Sequence, residues 1–205
     1  MIAIVDYEAG NLTSVKRALD FLNIPSIITP DPGKIRSADR VIFPGVGHAA
    51  SAMNTLMQRG LDAALKDVFN AGIPILGICL GTQIILSHSD EGDTTSLGLI
   101  DGNCPKFSLK DKTLKIPHMG WDSITLSGKH PVLESLNSGD ELYFVHSYYP
   151  QPDDKNAVLA CCEYEITFPA VIGRKNLIAT QFHPEKSGPV GLKILQSFST
   201  WDGSL

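Results

Sequence analysis

The chain has 205 residues, 43% hydrophobic and 19% charged, an ordinary globular composition that excludes a disordered or low-complexity polymer. A formal charge of −5, from 17 Lys and Arg against 22 Asp and Glu, leaves no basic stripe to neutralise phosphates and argues against a nucleic-acid partner. No apolar run approaches the roughly 20 residues that cross a bilayer and the first ten residues lack a signal peptide's basic and apolar regions, so one cytoplasmic domain over residues 1–205 is expected, with no membrane association.

Met1–Val5 reads as a buried strand and Asp6–Leu12 as a turn carrying Gly10 and Asn11. A helix follows with Val15, Ala18, Leu19 and Leu22 on one face. Ile24–Thr29 is a second strand, which Pro30–Gly33 punctuates before a short polar, helix-compatible stretch. A third strand, Arg40–Phe43, runs into Pro44-Gly45-Val46-Gly47. Helical patterns occupy Ala49–Arg59 and Leu61–Ala71, and Ile73–Ile78 is a fourth apolar strand ending at Cys79, with helical character over Leu80–Ser87. Strands alternating with helices predict an α/β fold, a doubly wound, mainly parallel sheet flanked by helices.

After Leu97 the texture changes to short β-like runs: Thr113–Ile116, Trp121–Leu126, Glu141–Val145, Val158–Cys162, Val171–Arg174 and Leu177–Phe182. These predict hairpins or a mixed or antiparallel extension of the sheet. Pro189–Ser199 closes the chain as a helix, with Leu192, Leu195 and Phe198 at helical spacing.

The most informative segment is Gly77-Ile78-Cys79-Leu80-Gly81 between an apolar strand and a helix. This is the context of a nucleophile elbow, with Cys in place of the usual Ser. Flanking glycines let the backbone turn sharply and project the thiol at the carboxyl edge of the sheet, and the amino end of a helix favours thiolate. The alternative is a core cysteine between two packing glycines. A thiol nucleophile needs a base held by a third group. Of six histidines, His183 stands out because it follows Leu177–Phe182 and precedes Pro184, which stiffens the chain, and Glu185, which can accept from the second ring nitrogen. Acyl transfer also needs oxyanion donors. One is expected from the backbone N–H of Leu80, and a second from Gly45-Val46-Gly47 at the same edge. The other cysteines, Cys104, Cys161 and Cys162, have neither ligand-like spacing nor a disulfide pattern, so no metal site is expected.

With GICLGTQ at Gly77–Gln83 and QFHPEKSG at Gln181–Gly188, the sequence resembles the class I glutamine amidotransferases, the Cys-His-Glu glutaminases. The segments PGVG at Pro44–Gly47, PHMGW at Pro117–Trp121, YFVHSY at Tyr143–Tyr148 and DYxxGN at Asp6–Asn11 narrow the resemblance to the glutaminase subunits of imidazole glycerol phosphate synthases. The resemblance implies that Cys79 is the nucleophile, His183 the general base and acid, and Glu185 the group that orients it. It implies oxyanion donors at Leu80 and Val46, and contacts to L-glutamine from Gly47 and Gln83 with His146 and Ser147 nearby. It places Asn11, Trp121, Tyr143 and Lys186 at or near a partner interface. The implied partner is a (βα)8-barrel cyclase subunit in a heterodimer, and no cofactor is implied. Glu8, Thr82 and Asp122 depart from the pattern, Glu8 where a small residue is commoner, Thr82 where Met is usual, and Asp122 where Asn often follows the Trp. His48, His88 and His130 receive no role. A cysteine-elbow glyoxalase or small hydrolase is one rival reading, although such enzymes do not need HPE near the carboxyl terminus. A paralogous glutaminase serving another synthase, for example in nucleotide-sugar amidination, is the nearer one. A non-enzymatic module with a decayed triad is disfavoured because all three side chains are present.

Overall fold

The computed structural model describes residues 1–8 and 10–205. Strand β1 (Ile2–Val5) leads into helix α1 (Leu12–Phe21), β2 (Ser26–Thr29), α2 (Pro32–Arg36), β3 (Arg40–Gly45), α3 (Ala49–Gln58), α4 (Leu61–Asn70), β4 (Ile75–Cys79) and α5 (Leu80–Ile84). There follow β5 (His88–Ser89), β6 (Thr94–Thr95), β7 (Gly102–Cys104), β8 (His118–Leu126), β9 (Glu141–His146), β10 (Gln151–Pro152), β11 (Val158–Tyr164), β12 (Ile166–Arg174), β13 (Leu177–Thr180) and α6 (Gly188–Thr200).

Nine strands form one sheet in the order β2-β1-β3-β4-β13-β12-β11-β8-β9. The first five are parallel neighbours and the remainder pair antiparallel. The period-2 alternation of strand side chains divides the core between the two faces. Ile2, Ile4, Ile42, Leu76 and Ile78 pack with Val15 and Leu19 of α1 and Ile194, Leu195 and Phe198 of α6. Ala3, Val5, Val41, Phe43 and Ile75 pack with Ala49 and Leu56 of α3 and Leu61, Leu65 and Val68 of α4. Both faces are therefore covered, which is why β1 and β4 are buried throughout. Each fully buried aliphatic side chain contributes about 1.5–3 kcal/mol to this arrangement.

Several sequence expectations are corrected. Thr113–Ile116 is not a strand: the Asp111 carboxylate accepts from the backbone and hydroxyl of Thr113, and the Tyr164 hydroxyl bonds both N–H and C=O of Lys115, so the segment is a turn held by side chains. Helix α5 stops at Ile84, short of Ser87, because the carbonyls of Ile84, Ile85 and Leu86 accept from Leu97, Leu99 and Gly98 of a returning loop. The strands expected from Ile24 and Ile73 start later, beyond Pro25 and Pro74, which lack an N–H to donate. The Val171–Arg174 run extends back to Ile166, since β11 pairs with β12 from Ile166 onward while β13 pairs only with Val171–Arg174. The stretch after Pro30 is helix α2, capped by the Asp31 side chain on Gly33 N with Pro32 in the first turn. A separate four-stranded sheet, β10-β7-β5-β6, has no counterpart in the sequence reading. In the turn at Asp6–Leu12, Ala9 lies outside the described residues. Among the described residues no helix is long and apolar enough to cross a membrane.

Candidate active site

Three parallel strands, β3, β4 and β13, deliver the motif residues to one rim, the carboxyl edge where ligands bind in open α/β sheets. Strand β4 ends at Cys79, directly opposite Gly45 of β3 in the register, and β13 runs on through Gln181 and Phe182 to His183. Although β9 is last in the sheet order, it also reaches this rim: His183 N donates to Tyr143 O at 2.9 Å, and Cys79 Sγ lies 3.8 Å from Val145 O.

Cys79 has φ 55° and ψ −107°, a conformation that residues other than glycine avoid and that persists only where surroundings enforce it. The two glycines give the packing around it the room it needs. A Cβ on Gly77 would sit 2.9 Å from the Ala179 Cβ, and one on Gly81 would sit 1.9 Å from the Phe43 carbonyl oxygen. No other side chain lets strand and helix approach this closely, so the elbow is built as the sequence predicts. With only five residues, α5 supplies a short helix dipole behind the thiol, weaker than the helix expected over Leu80–Ser87.

His183 is fully buried and its Nδ1 lies 2.8 Å from Glu185 Oε1, with the carboxylate side chain also sealed from solvent. Pro184 opens a 3-10 turn through Lys186, and the Ser187 hydroxyl donates to His183 O at 2.6 Å, so the imidazole is aimed by its own backbone. Nε2 has no hydrogen-bond partner among the described residues. Burial opposes a charged ring here, but a thiolate at Cys79 and then Glu185 outweigh it and raise His183 to about 10, so a proton that leaves the sulfur is held on the ring. At rest the thiol is directed to the Val145 carbonyl and accepts from Gln181 Nε2 at 3.8 Å.

A cleft of about 340 Å³ opens beside the thiol, and Val46, Gly47, Leu80, Gln83, His146 and Ser147, all of them sequence-derived candidates, line it. A depression of about 660 Å³ beside β11 and β12 is larger, but it holds Cys161 without a histidine, so size alone does not locate the chemistry. Gln83 donates to Tyr148 O at 2.8 Å and to Gln181 Oε1 at 3.1 Å. His146 has both ring nitrogens committed inside the protein, to Tyr148 O and to His118. Burial lowers it to about 3 and keeps it neutral.

The four candidate interface residues divide. Trp121 is 54% exposed and stands edge-on to Tyr143 with ring centres 6.0 Å apart, while Lys186 is exposed one residue beyond Glu185. Asn11 instead turns inward. Its Nδ2 donates to Glu185 Oε1 and approaches His183 Nδ1 at 3.5 Å. Glu8 forms an ion pair with Arg59. Sequence reasoning missed Gln181, which touches the thiol, and Glu91, which lines the cleft while accepting from Ala49 N at 2.7 Å. The Gln in QFHPE was visible as part of a motif, but Glu91 lies in a polar turn that carries no local signal.

The family model for class I glutamine amidotransferases matches residues 3–200. The chain is 51% identical over 203 residues to the imidazole glycerol phosphate synthase subunit HisH of Nitratidesulfovibrio vulgaris strain Miyazaki F, covering 97% of this chain and 95% of that protein. It is 43% identical over 204 residues to the subunit of the same name from Geobacillus sp. strain WCH70, covering 98% and 96%. Among solved structures, a glutamine amidotransferase superposes with TM-score 0.75 at 15% identity, and PurLQS from Thermotoga maritima with TM-score 0.73 at 18% identity, each covering 96% of both chains.

Proposed function

This chain belongs to the class I glutamine amidotransferase family, and from that premise we propose that it is the glutaminase subunit of an imidazole glycerol phosphate synthase, hydrolysing L-glutamine and passing ammonia to a cyclase subunit in histidine biosynthesis. The reading is supported by a strained thiol at the carboxyl end of β4 and, where the neighbouring β13 ends, a buried imidazole already paired to a carboxylate.

Cys79 Sγ gives its proton to His183 Nε2, and the thiolate attacks the side-chain amide carbon of glutamine. Glu185 holds Nδ1 and stabilises the imidazolium that results. The amide N–H groups of Leu80 and Val46 receive the oxyanion, while Gly47, Gln83, His146 and Ser147 surround the substrate. As the tetrahedral adduct collapses, Nε2–H protonates the departing nitrogen and ammonia leaves, with a glutamyl thioester on Cys79. His183 then takes a proton from water, the hydroxide attacks the thioester, and glutamate departs as the thiol is restored. No step calls on a metal or organic cofactor.

Ammonia released into water at neutral pH becomes ammonium and loses its nucleophilicity, so efficiency favours a site docked against the acceptor enzyme. The reading assigns the partner a (βα)8 barrel in a heterodimer, docked on the rim that carries Trp121, Tyr143 and Lys186, with Asn11 behind it. Exposed Ile116 and Met119, on the approach to and within β8, add apolar surface beside Trp121. A cytoplasmic location follows from this role. The test is glutamine hydrolysis with and without the cyclase and its ribonucleotide substrate. The isolated chain is expected to turn over slowly and to be activated by the complex; equal rates would contradict the assignment.

A further inference from the structure

His146 lines the cleft, but donor and acceptor accounting ties its ring to residues behind it. Nδ1 lies 2.7 Å from the Tyr148 carbonyl oxygen, an acceptor, so the ring proton is on Nδ1. Nε2 must then accept from His118 Nδ1, 3.1 Å away. A neutral His118 is left with a lone pair on Nε2, and that atom lies 3.4 Å from Asp122 Oδ2, also an acceptor. A second proton on His118 converts this contact into an ion pair. His118 has little room to turn, since it is buried and stacked on Tyr164 at 4.1 Å and Phe144 at 5.0 Å between ring centres. In the other direction the Tyr148 carbonyl also receives Gln83 Nε2, Gln83 gives its second amide hydrogen to Gln181 Oε1, and Gln181 Nε2 reaches the Cys79 sulfur. Polar contacts thus run without a break from Asp122, next to exposed Trp121, to the nucleophile.

From this geometry we infer that His118 and Asp122 are positioning residues of the glutamine site: they fix the tautomer of His146 and, through the Tyr148 carbonyl, the amide of Gln83, and they make glutamine binding tightest when His118 carries its second proton. The inference rests on the glutaminase reading. The titratable groups facing His118 are Asp122 on its own strand, His146 on β9 and Tyr164 on β11; His183 lies beyond His146, and Cys162 beside Asp122. Burial lowers His118, with Asp122 opposing, so the second proton is gained on the acid side of the ordinary histidine range.

The experiment measures glutamine hydrolysis by the complex with its cyclase and ribonucleotide between pH 5.5 and 8, together with 15N spectra of the imidazoles. The wild type should show KM rising about threefold with pH, the size expected of one lost charge-assisted contact at a partly exposed carboxylate. Asp122→Asn, whose amide can donate to a neutral Nε2, should abolish that step. His118→Ala should raise KM about tenfold with kcat changed far less, because a buried acceptor on His146 loses its donor. His118→Asn, which places an amide donor near the lost Nδ1–H, should recover most of that loss. An unchanged pH profile in Asp122→Asn, or a wild-type KM in His118→Ala, would overturn the inference. So would spectra placing the proton of either neutral ring on Nε2. An inactive wild-type complex with the expected tautomers would instead overturn the glutaminase reading.

Discussion

Replacing Asn11 separates two physical demands made on one residue. Asn11 sits at φ 78° and ψ 2°, in the left-handed region, and its amide donates to Glu185 Oε1. The same oxygen accepts from His183, while Glu185 Oε2 has no partner among the described residues. Asn11→Gly keeps the backbone conformation and removes the donor. A hydrogen bond to a buried charged acceptor contributes about 2 kcal/mol, so Asn11→Gly should lower Tm by roughly 4–8 °C for a chain of this size. Asn11→Ala should cost about 1–2 kcal/mol more, because Ala resists the left-handed region that Gly accepts. Freed on one side, Glu185 holds the imidazole less firmly, and kcat/KM for glutamine should fall about tenfold, equivalent to about 1.4 kcal/mol of transition-state stabilisation. Asn11→Asp should be the worst of the three at pH 8 and should improve on acidification, since it sets a second carboxylate against a buried one. Urea melts with parallel glutaminase assays measure all three variants. Wild-type stability in Asn11→Gly, or equal stability of the Gly and Ala variants, would refute the reasoning.

Cys79→Gly should abolish glutamine hydrolysis yet raise stability by about 1–2 kcal/mol, by relieving the strained backbone at the elbow; a destabilised variant in thermal melts would argue against stored strain. Gly81→Ala should cost about 3 kcal/mol or more and most of the activity, because its methyl group meets the Phe43 carbonyl rather than a flexible side chain; normal melting would show that the elbow can relax. In acid, the buried neutral rings govern stability. Burial lowers His130 to about 4 and His146 to about 3, so the unfolded chain takes up protons first and stability should fall as pH drops below about 6.5. His130→Asn, which retains a capping acceptor for Val132 N, should flatten part of that arm in urea melts across pH. His183 has the opposite sign: raised to about 10 against burial by Cys79 and Glu185, it gives stability that is full below about 6.5 and lost as pH rises through about 10. His183→Gln should remove that alkaline loss, and an unaltered alkaline arm would contradict the assignment.

The parallel half of the fold was legible because β1, β3 and β4 are buried on both faces and so read as unbroken apolar runs, while α1, α3 and α4 bury one stripe each and keep the helical period. The small second sheet was not legible, since strands of two residues such as His88–Ser89 and Thr94–Thr95 are too short to carry any period. Thr113–Ile116 misled because its β-branched residues fit a strand, whereas the Asp111 carboxylate and the Tyr164 hydroxyl supplied local partners that won. The site divides in the same way. Cys79, His183 and the Gly-rich turn carry local signatures: a sharp turn needs its glycines, and a stiffened chain its proline. The inward role of Asn11 depends on contacts 172 and 174 positions away, and the Asp122-His118-His146 chain on pairing between β8 and β9. Such partners are fixed by topology, which the hydrophobic pattern specifies only as a whole.

The most direct test of the central claim is to mix the cyclase complex with isotopically labelled glutamine, quench with acid within a turnover, and locate any covalent glutamyl group by peptide mass spectrometry. The account predicts an acyl group on Cys79 alone among the four cysteines, absent from Cys79→Ala. Continued hydrolysis of glutamine by Cys79→Ala, or an acyl group on another residue, would contradict it.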